Sequence, residues 1–263
     1  MNSRISTSLT SSSSPGVGAV TPHEPAGSGI AAVTAVFTDR RGGVSLPPYA
    51  SGNLGEHVGD DPGAVAENRA RLARRLGIGA GAFVWMAQVH GAEVVTVSAP
   101  TPSPVAGTDA LVTSTPGLAL GVLVADCVPV LLADPTAGVV AAAHAGRRGV
   151  EASIVTAVTA QMQLRGARAE ATTGWVGPAI CGACYEVPAA MRADVARVVP
   201  AAAAQTRAGR PALDLPAAVV GQLRAAGVLA VRVDGRCTAE DPNLFSYRRD
   251  GRTGRMAGVV CLG

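Results

Sequence analysis

The chain has 263 residues, of which 48% are hydrophobic and 16% are charged, and its formal net charge is +3. All 22 basic residues are arginines, so a Schiff-base lysine and the lysine of a phosphate-binding Walker loop are both excluded. The small net charge and an aromatic content of 3% argue against a nucleic-acid-binding protein.

Cysteine usage and hydropathy indicate the compartment. Five cysteines are few and odd in number for a chain of this size, which is typical of free thiols in a reducing environment. The apolar runs are far shorter than the roughly 20 residues that a membrane span needs. We therefore predict a cytoplasmic protein without a membrane partner, and the sequence leaves its oligomeric state open.

Composition divides the chain at its beginning. Residues 1–28 are rich in Ser, Thr, Pro and Gly and carry few charges, so we predict a disordered tail. Residues 29–263 are steadily apolar and lack a linker or repeat, so we predict one catalytic domain there.

Within that domain, short apolar runs indicate strands and longer amphipathic runs indicate helices. In chain order we predict a strand at 31–37, a helix at 62–76, strands at 83–88, 93–97, 118–125, 128–133 and 138–143, helices at 150–164, 188–198 and 215–226, and strands at 228–233 and 256–262. Asp61, Pro62 and Gly77 mark the ends of the first helix. The fold class is α/β, a single mixed domain with helices packed on β-sheet layers.

Three candidate metal ligands lie at the ends of predicted strands. They are His90, Cys127 and His144. One thiolate and two imidazoles suit zinc, and three protein ligands leave a position for a catalytic water. Asp126, or another nearby acid, is a candidate to orient a histidine or relay a proton. Two other interpretations stay open from spacing alone: ordinary core residues, or a metal-free hydrolase with Cys127 as nucleophile and His144 as base.

Many short motifs occur in a fixed order around these three residues. They are Asn53-Leu54-Gly55, Glu67-Asn68-Arg69, Gln88-Val89-His90-Gly91, Ala125-Asp126-Cys127, Ala143-His144-Ala145-Gly146, Gly177-Pro178-Ala179-Ile180, Cys184-Tyr185-Glu186-Val187 and Phe245-Ser246-Tyr247-Arg248-Arg249-Asp250. In this combination, residues 35 to 263 closely resemble the YfiH family, formerly labelled a polyphenol oxidase or laccase-domain family and now described as purine nucleoside phosphorylases.

The resemblance implies a zinc ion held by His90, Cys127 and His144. It also implies phosphorolysis of adenosine, guanosine, inosine and 5′-methylthioadenosine to a base and ribose 1-phosphate, with hydrolytic deamination of adenosine. The expected partners are thus purine nucleosides and phosphate. One departure is Arg147, which replaces the tryptophan usual at that place in the family.

Phosphorolysis needs a cationic pocket, and without lysine that charge must come from arginine, whose planar fork suits phosphate. Our candidates are Arg148, Arg248 and Arg249, each of which can equally be a surface arginine. Asn53 and Gln88 are candidates to hydrogen-bond the sugar or the base, or alternatively to cap turns.

Other chemistries are kept as alternatives or set aside. A cell-wall precursor editing amide hydrolase at the same His/Cys/His site is one alternative. Copper can substitute for zinc, so a copper-dependent polyphenol oxidase is a second alternative, although four histidines are too few for a multicopper oxidase. The Cys181-Gly182-Ala183-Cys184 motif lacks a thioredoxin-like context and a deaminase signature, so we expect small buried side chains there.

Overall fold

The computed structural model describes residues 31–263 and a two-residue strand, β1 (Val17–Gly18), which pairs antiparallel with β2 (Val33–Thr38). The predicted tail, residues 1–28, otherwise lies outside the described residues. The division of the chain at residue 28 therefore stays a prediction.

Two six-stranded sheets form the centre of the fold. The first contains β1, β2, β3 (Phe83–Ala87), β5 (Val105–Ala106), β7 (Ala119–Val124) and β14 (Met256–Leu262), hydrogen-bonded in the order β1-β2-β14-β7-β3-β5. The second contains β4 (Val94–Thr96), β6 (Ala110–Thr113), β8 (Val128–Asp134), β9 (Val139–Ala145), β10 (Thr173–Val176) and β13 (Ala230–Val233), in the order β13-β10-β8-β9-β6-β4. A separate hairpin joins β11 (Ala203–Gln205) to β12 (Pro211–Leu213).

Helices cover the outer faces of both sheets. They are α1 (Pro62–Leu76), α2 (Arg147–Glu151), α3 (Ile154–Gln163), α4 (Ala189–Val198) and α5 (Leu215–Ala225). A further short helix, α6 (Tyr247–Asp250), has no buried residue and belongs to none of the apolar clusters. Leu72 of α1 packs with Trp85 and Val259 on the outer face of the first sheet. Residues of α3 and α5 pack with β8 and β9 on the outer face of the second sheet.

The two sheets also pack against each other through their inner faces. Leu120 and Val260 of the first sheet share one apolar cluster with Leu131 and Val140 of the second. All residues of β7, β8, β9 and β14 are buried, because each strand is covered on both faces. Burial on both faces explains why these strands appear in the sequence as continuous apolar runs rather than alternating ones. The four layers confirm the predicted mixed α/β class with helices on sheet layers.

Local sequence signals set the ends of α1 at the predicted residues. The side chain of Asp61 accepts hydrogen bonds from the backbone N–H groups of Gly63 (3.1 Å) and Ala64 (3.2 Å), and Pro62 occupies the first position. Gly77 ends the helix with a left-handed φ of 66°, which glycine adopts without strain.

The helix predicted at 150–164 is instead two helices. The first, α2, begins at Arg147, and the chain then changes direction at Ser153, whose φ is 60°. This break allows α2 to follow β9 at once and still lets Ile154, Val155 and Val158 of α3 pack on the second sheet. The shorter elements β5, β6, β10, β11, β12 and α6 were not predicted, because runs of two to four residues carry too little periodicity.

None of the helices within residues 31–263 is long and apolar enough to cross a bilayer.

Candidate metal centre and substrate pocket

Strand pairing brings Cys127 next to His144. Cys127 directly precedes β8, and His144 is the penultimate residue of β9. The antiparallel register of β8 and β9 pairs Val128 with Ala145 and Pro129 with His144. Two residues 17 positions apart in the sequence are therefore adjacent at one end of the second sheet.

Asp109 connects the third candidate ligand, His90, to this pair. Its fully buried carboxylate accepts a bond from the backbone N–H groups of Val89 (3.2 Å), His90 (2.9 Å) and Gly91 (2.7 Å), and it bonds Nδ1 of His144 at 2.8 Å. One carboxylate thus fixes both the loop that carries His90 and the ring of His144. A carboxylate on the outer ring nitrogen of a histidine is the usual way to orient a metal-binding imidazole.

The three predicted ligands converge. Their ligand atoms all lie within 4.8 Å of one another, and the His90 and His144 rings meet edge to face with centroids 4.7 Å apart. Gly146 leaves room for them, since a Cβ there would lie 2.8 Å from Cδ2 of His90 and 3.2 Å from Sγ of Cys127. The donor set fits a borderline-soft divalent ion, and His90 is exposed to the pocket while His144 is buried.

The electrostatics of the cluster favour an ionised sulfur. Burial raises the pKa of the Cys127 thiol, but the hydrogen bonds and charges of His144 and His90 outweigh it and lower that pKa to about 6. Burial likewise disfavours the His144 imidazolium, but Asp109 and Cys127 raise the pKa of His144 to about 9. A thiolate is the form of cysteine that binds metals and acts as a nucleophile.

The cluster opens into a cavity of about 860 Å³ that His90, Cys127 and His144 all line. This volume suits a small organic ligand of drug or nucleoside size. Trp85, Tyr185 and Tyr247 contribute aromatic surface, and Arg69, Arg248 and Arg255 contribute positive charge.

The three pocket arginines are held in place in different ways. Arg69 bonds the carbonyl of Leu54 at 3.0 Å, pairs with Glu56 and lies over the ring of Trp85. Arg248 lies over the Tyr185 ring at 4.9 Å and bonds the carbonyl of Glu186 at 2.9 Å.

Arg255 donates to the carbonyls of Thr253 and Gly254. Burial lowers the pKa of Arg255, while Cys127 and Asp126 act in the opposite direction. Both hydrogen bonds of the Arg255 guanidinium go to carbonyl groups rather than to a carboxylate, and Arg255 lines the pocket.

The predicted phosphate ligands are placed differently from one another. Arg248 lines the pocket, whereas Arg148 is exposed outside its lining. Arg249 also lies outside: its guanidinium bonds the carbonyls of Thr238, Asp241 and Leu244, and it pairs with Asp250. Arg249 thus has a structural role in holding the loop that precedes α6. The arginines that line the pocket together with Arg248 are Arg69 and Arg255. Arg147 is ion-paired with Glu151 at 2.6 Å outside the lining.

The two predicted amide residues have their amides occupied. Asn53 is fully buried outside the pocket lining, where its side chain bonds Gly55, Asp60 and the backbone N–H of Arg255. Gln88 lines the pocket, but its amide both donates to and accepts from the backbone of Leu123 at 2.9 Å. Asn53 therefore positions Arg255, and Gln88 joins the loop after β3 to β7.

Asp126 has a different neighbourhood from the one expected. Its carboxylate accepts hydrogen bonds from Thr238 (2.6 Å), Ser246 (2.7 Å) and the backbone N–H of Arg248 (2.7 Å), and it lines the pocket. The acid that orients His144 is Asp109. Asp126 instead fixes the wall that carries Arg248.

Sequence reasoning did not assign three of these residues as parts of the site: Asp109, Arg69 and Arg255. It did expect His57 to contact substrate or a loop. His57 lies in a single 3-10 turn, Glu56–Val58, and lines the pocket. Burial, followed by the charges of Arg255 and Arg69, lowers the pKa of His57. The sequence signal that could have found Asp109 is an acidic residue directly before the short strand β6, and the structure shows that this residue is buried.

A His/Cys/His cluster lies at one end of a buried strand pair and opens to a nucleoside-sized cavity with arginines and aromatic rings. The fold and the site therefore define an α/β protein with a candidate metal site beside a small-molecule pocket. Residues 34–263 match the profile of a family described as "Multi-copper polyphenol oxidoreductase laccase". The chain belongs to this family, which confirms the resemblance to YfiH proteins.

Named relatives and solved structures agree with this membership. A purine nucleoside phosphorylase of Streptomyces coelicolor is 55% identical over 227 residues, covering 86% of this chain and 94% of its own. One from Mycobacterium tuberculosis is 50% identical over 227 residues, covering 86% of this chain and 91% of its own. The crystal structure of YlmD from Geobacillus stearothermophilus has a TM-score of 0.82 at 35% identity, covering 92% of this chain and 98% of that chain. The hypothetical protein YfiH of Bacillus licheniformis also gives 0.82, at 30% identity, covering 90% and 97%.

Proposed function

We propose that this protein is a zinc-dependent purine nucleoside phosphorylase that acts in the cytoplasm. The observation that carries the proposal is one cavity that holds a His90/Cys127/His144 cluster, arginines for an anion and aromatic rings for a base. The name "purine nucleoside phosphorylase" of the relatives supports the substrate class. The free state of all five cysteines supports a reducing compartment.

The metal would be held by His90, Cys127 and His144. A zinc ion supplies Lewis-acid polarisation and an activated water at neutral pH. Copper fits the same nitrogen and sulfur donors, so metal analysis belongs to the test. Asp109 orients His144 from outside, so that Nε2 is the nitrogen left for the metal.

The chain's own side chains bind and orient the two substrates. Arg248 and Arg255 bind phosphate, because guanidinium groups make charge-assisted hydrogen bonds to phosphate oxygens. Tyr185 and Trp85 present apolar ring surface to the purine, and each is already packed against an arginine, Arg248 and Arg69 respectively. Attack of a phosphate oxygen at the anomeric carbon then forms the new C–O bond and breaks the glycosidic C–N bond. The departing base takes up the proton that hydrogen phosphate loses, which gives the free base and ribose 1-phosphate.

Adenosine deamination is proposed as a second activity of the same cavity. It requires an activated water near the purine instead of a phosphate near the ribose, and the candidate metal ligands line the same cavity as the proposed base-binding rings. The two reactions are separable, because only the first consumes phosphate.

The test is a product assay on protein of measured metal content. With inosine, we expect hypoxanthine and ribose 1-phosphate in equal amounts, and no base release when phosphate is left out. With adenosine and no phosphate, we expect inosine and ammonia. Metal-loaded protein that releases no base at any phosphate concentration would refute the proposal. Turnover of a cell-wall precursor carrying the wrong first amino acid would replace it by the amide hydrolase alternative.

A further inference from the structure

A second cluster of potential metal ligands lies outside the His90, Cys127 and His144 site. Sγ of Cys181, Cys184 and Cys237 and a carboxylate oxygen of Glu240 all lie within 4.8 Å of one another. Cys181 and Cys184 belong to the segment that follows β10, and Cys237 and Glu240 to the segment that follows β13. Four potential ligands from two distant segments therefore face one point.

The backbone around the cluster is arranged for a sulfur-bound ion. The backbone N–H of Cys184 bonds the carbonyl of Cys181 at 3.0 Å, and that of Tyr185 bonds the same carbonyl at 2.9 Å, so the two thiols lie on one tight turn. The backbone N–H of Cys181 donates to Sγ of Cys237 at 3.4 Å. An amide directed at a sulfur stabilises a thiolate in the same way that it stabilises a carboxylate.

A hydrogen bond between two of the potential ligands joins the two segments. The thiol of Cys184 donates to Oε1 of Glu240 at 3.3 Å. A divalent ion would take the place of that proton, because a coordinated thiol is deprotonated outright.

We propose that Cys181, Cys184, Cys237 and Glu240 bind a second zinc ion, with a structural role. Three thiolates and a carboxylate complete a tetrahedron, which leaves no position for a catalytic water. Each thiol that binds the ion loses its proton to solvent. The resulting site is net negative, and Arg207, which is ion-paired with Glu240, partly offsets that charge.

The cluster lies next to residues that form one wall of the pocket. Ile180 and Tyr185, which flank the cysteine turn, line the substrate pocket. Thr238, next to Cys237, bonds the Asp126 carboxylate that also holds the backbone of Arg248. An ion here joins two segments that carry one wall of the pocket, without itself touching substrate.

A disulfide between Cys181 and Cys184 is the competing state. It would join two residues of one turn, whereas the metal joins the two segments and also uses Cys237 and Glu240. The two states differ in mass, in metal content and in thiol reactivity. They are therefore distinguished by direct measurement, independently of whether the pocket is a phosphorylase site.

The experiment counts metal in the full chain purified under reducing conditions from zinc-containing medium. Elemental analysis is expected to give two zinc ions per chain, falling to one in the Cys181→Ser/Cys184→Ser double variant and to one in Cys127→Ser. The control is Cys261→Ser, a buried thiol in β14 away from both clusters, which should retain two. In cobalt-substituted protein, the double variant should lose a larger part of the sulfur-to-cobalt charge-transfer absorbance than Cys127→Ser does.

If the double variant fails to fold, the wild type alone decides. Alkylation followed by mass spectrometry should find Cys181, Cys184 and Cys237 protected until a chelator is added and reactive afterwards. The proposal is overturned by a single zinc per chain with these three thiols reactive from the start. A Cys181–Cys184 disulfide in the reduced preparation overturns it as well.

Discussion

The two sulfur clusters of this protein use cysteine in opposite ways. Around Cys127 the neighbours are imidazoles, which lower the pKa of the thiol to about 6 in spite of its burial. Around Cys184 the neighbours are a carboxylate and other thiols, which together with burial raise the pKa of that thiol. The first cluster lines the cavity, whereas the second lies behind its wall.

Burial raises the pKa of both thiols, so the difference between them comes from their partners. Two histidines beside Cys127 favour its thiolate, and a metal on these three ligands would keep a coordination position for substrate or water. The thiols and the carboxylate around Cys184 favour its protonated form, and a metal on these four ligands would have a closed coordination shell. The first arrangement suits a catalytic metal site, and the second suits a structural one.

The largest effect is expected from Cys127→Ala. Removal of the sulfur takes away a proposed metal ligand, and we expect phosphorolysis to fall by more than about 100-fold, the upper end for loss of an outer-shell partner. The rate of hypoxanthine release from inosine measures it, alongside the zinc content. Full retention of zinc by this variant would contradict the ligand assignment.

The matched variant in the other cluster is Cys237→Ala. It should lower the melting temperature, because it releases the two segments behind the wall, and it should retain the zinc at His90 and His144. A loss of both ions would show that the clusters are not independent.

A smaller but still large effect is expected from Asp109→Asn. The amide keeps the size of the carboxylate but cannot hold the His144 ring as an anion does, so we expect a loss of about 10–100-fold in metal affinity or activity. A chelator competition assay and kcat/KM measure the two.

Asp134 provides the control for that substitution. It is equally buried and also accepts three backbone N–H bonds, from Thr136, Ala137 and Arg168, at the far end of β8. Asp134→Asn should destabilise the fold without changing metal affinity. Equal losses of metal affinity in both variants would remove the special role of Asp109.

Features that neighbouring residues determine could be predicted from the sequence, whereas features that depend on contacts between distant residues could not. The caps of α1 and the buried runs of β7, β8 and β14 are local, so they were predicted within one or two residues of their observed ends. The spacing of His90, Cys127 and His144 at strand ends allowed a shared site but left other interpretations open, and the family resemblance was what favoured the metal site.

The rest depended on contacts that no local pattern reveals. Asp109 reaches His144 through the register of β6 with β9, and β6 is only four residues long. Among the arginines, Arg248 and Arg249 are adjacent in sequence, but the short helix α6 directs only the first to the pocket. Asn53 contacts the backbone of Arg255 202 residues away, a pairing that no local pattern specifies.

The placement of the arginines gives a further prediction. Arg255→Gln removes a charge without a carboxylate partner from the pocket, and we expect the KM for phosphate to rise roughly 10-fold or more, since a hydrogen bond to a charged group contributes about 1.5–3 kcal/mol. Arg249→Gln is the comparison, because its guanidinium is bound to three carbonyls and Asp250. It should lower stability and leave the KM for phosphate within about twofold, well under the effect of a lost charged hydrogen bond. Reversed results would return the phosphate site to Arg249.

The smallest effect concerns His57, the histidine that lines the pocket but lies outside the metal cluster. Burial and the charges of Arg255 and Arg69 lower the pKa of His57 in the folded protein, so below about pH 6.5 the unfolded chain binds a proton that the folded chain does not. Stability therefore declines as the pH falls below that value, and His57→Gln removes this part of the decline. We expect a difference of about a few tenths of a kcal/mol, the scale of a partly exposed charge interaction. Urea unfolding of zinc-saturated wild type and variant, compared across this pH range, measures it. Parallel curves would show that the charges of Arg255 and Arg69 do not lower the pKa of His57. The positive charge of these arginines would then affect other groups of the pocket.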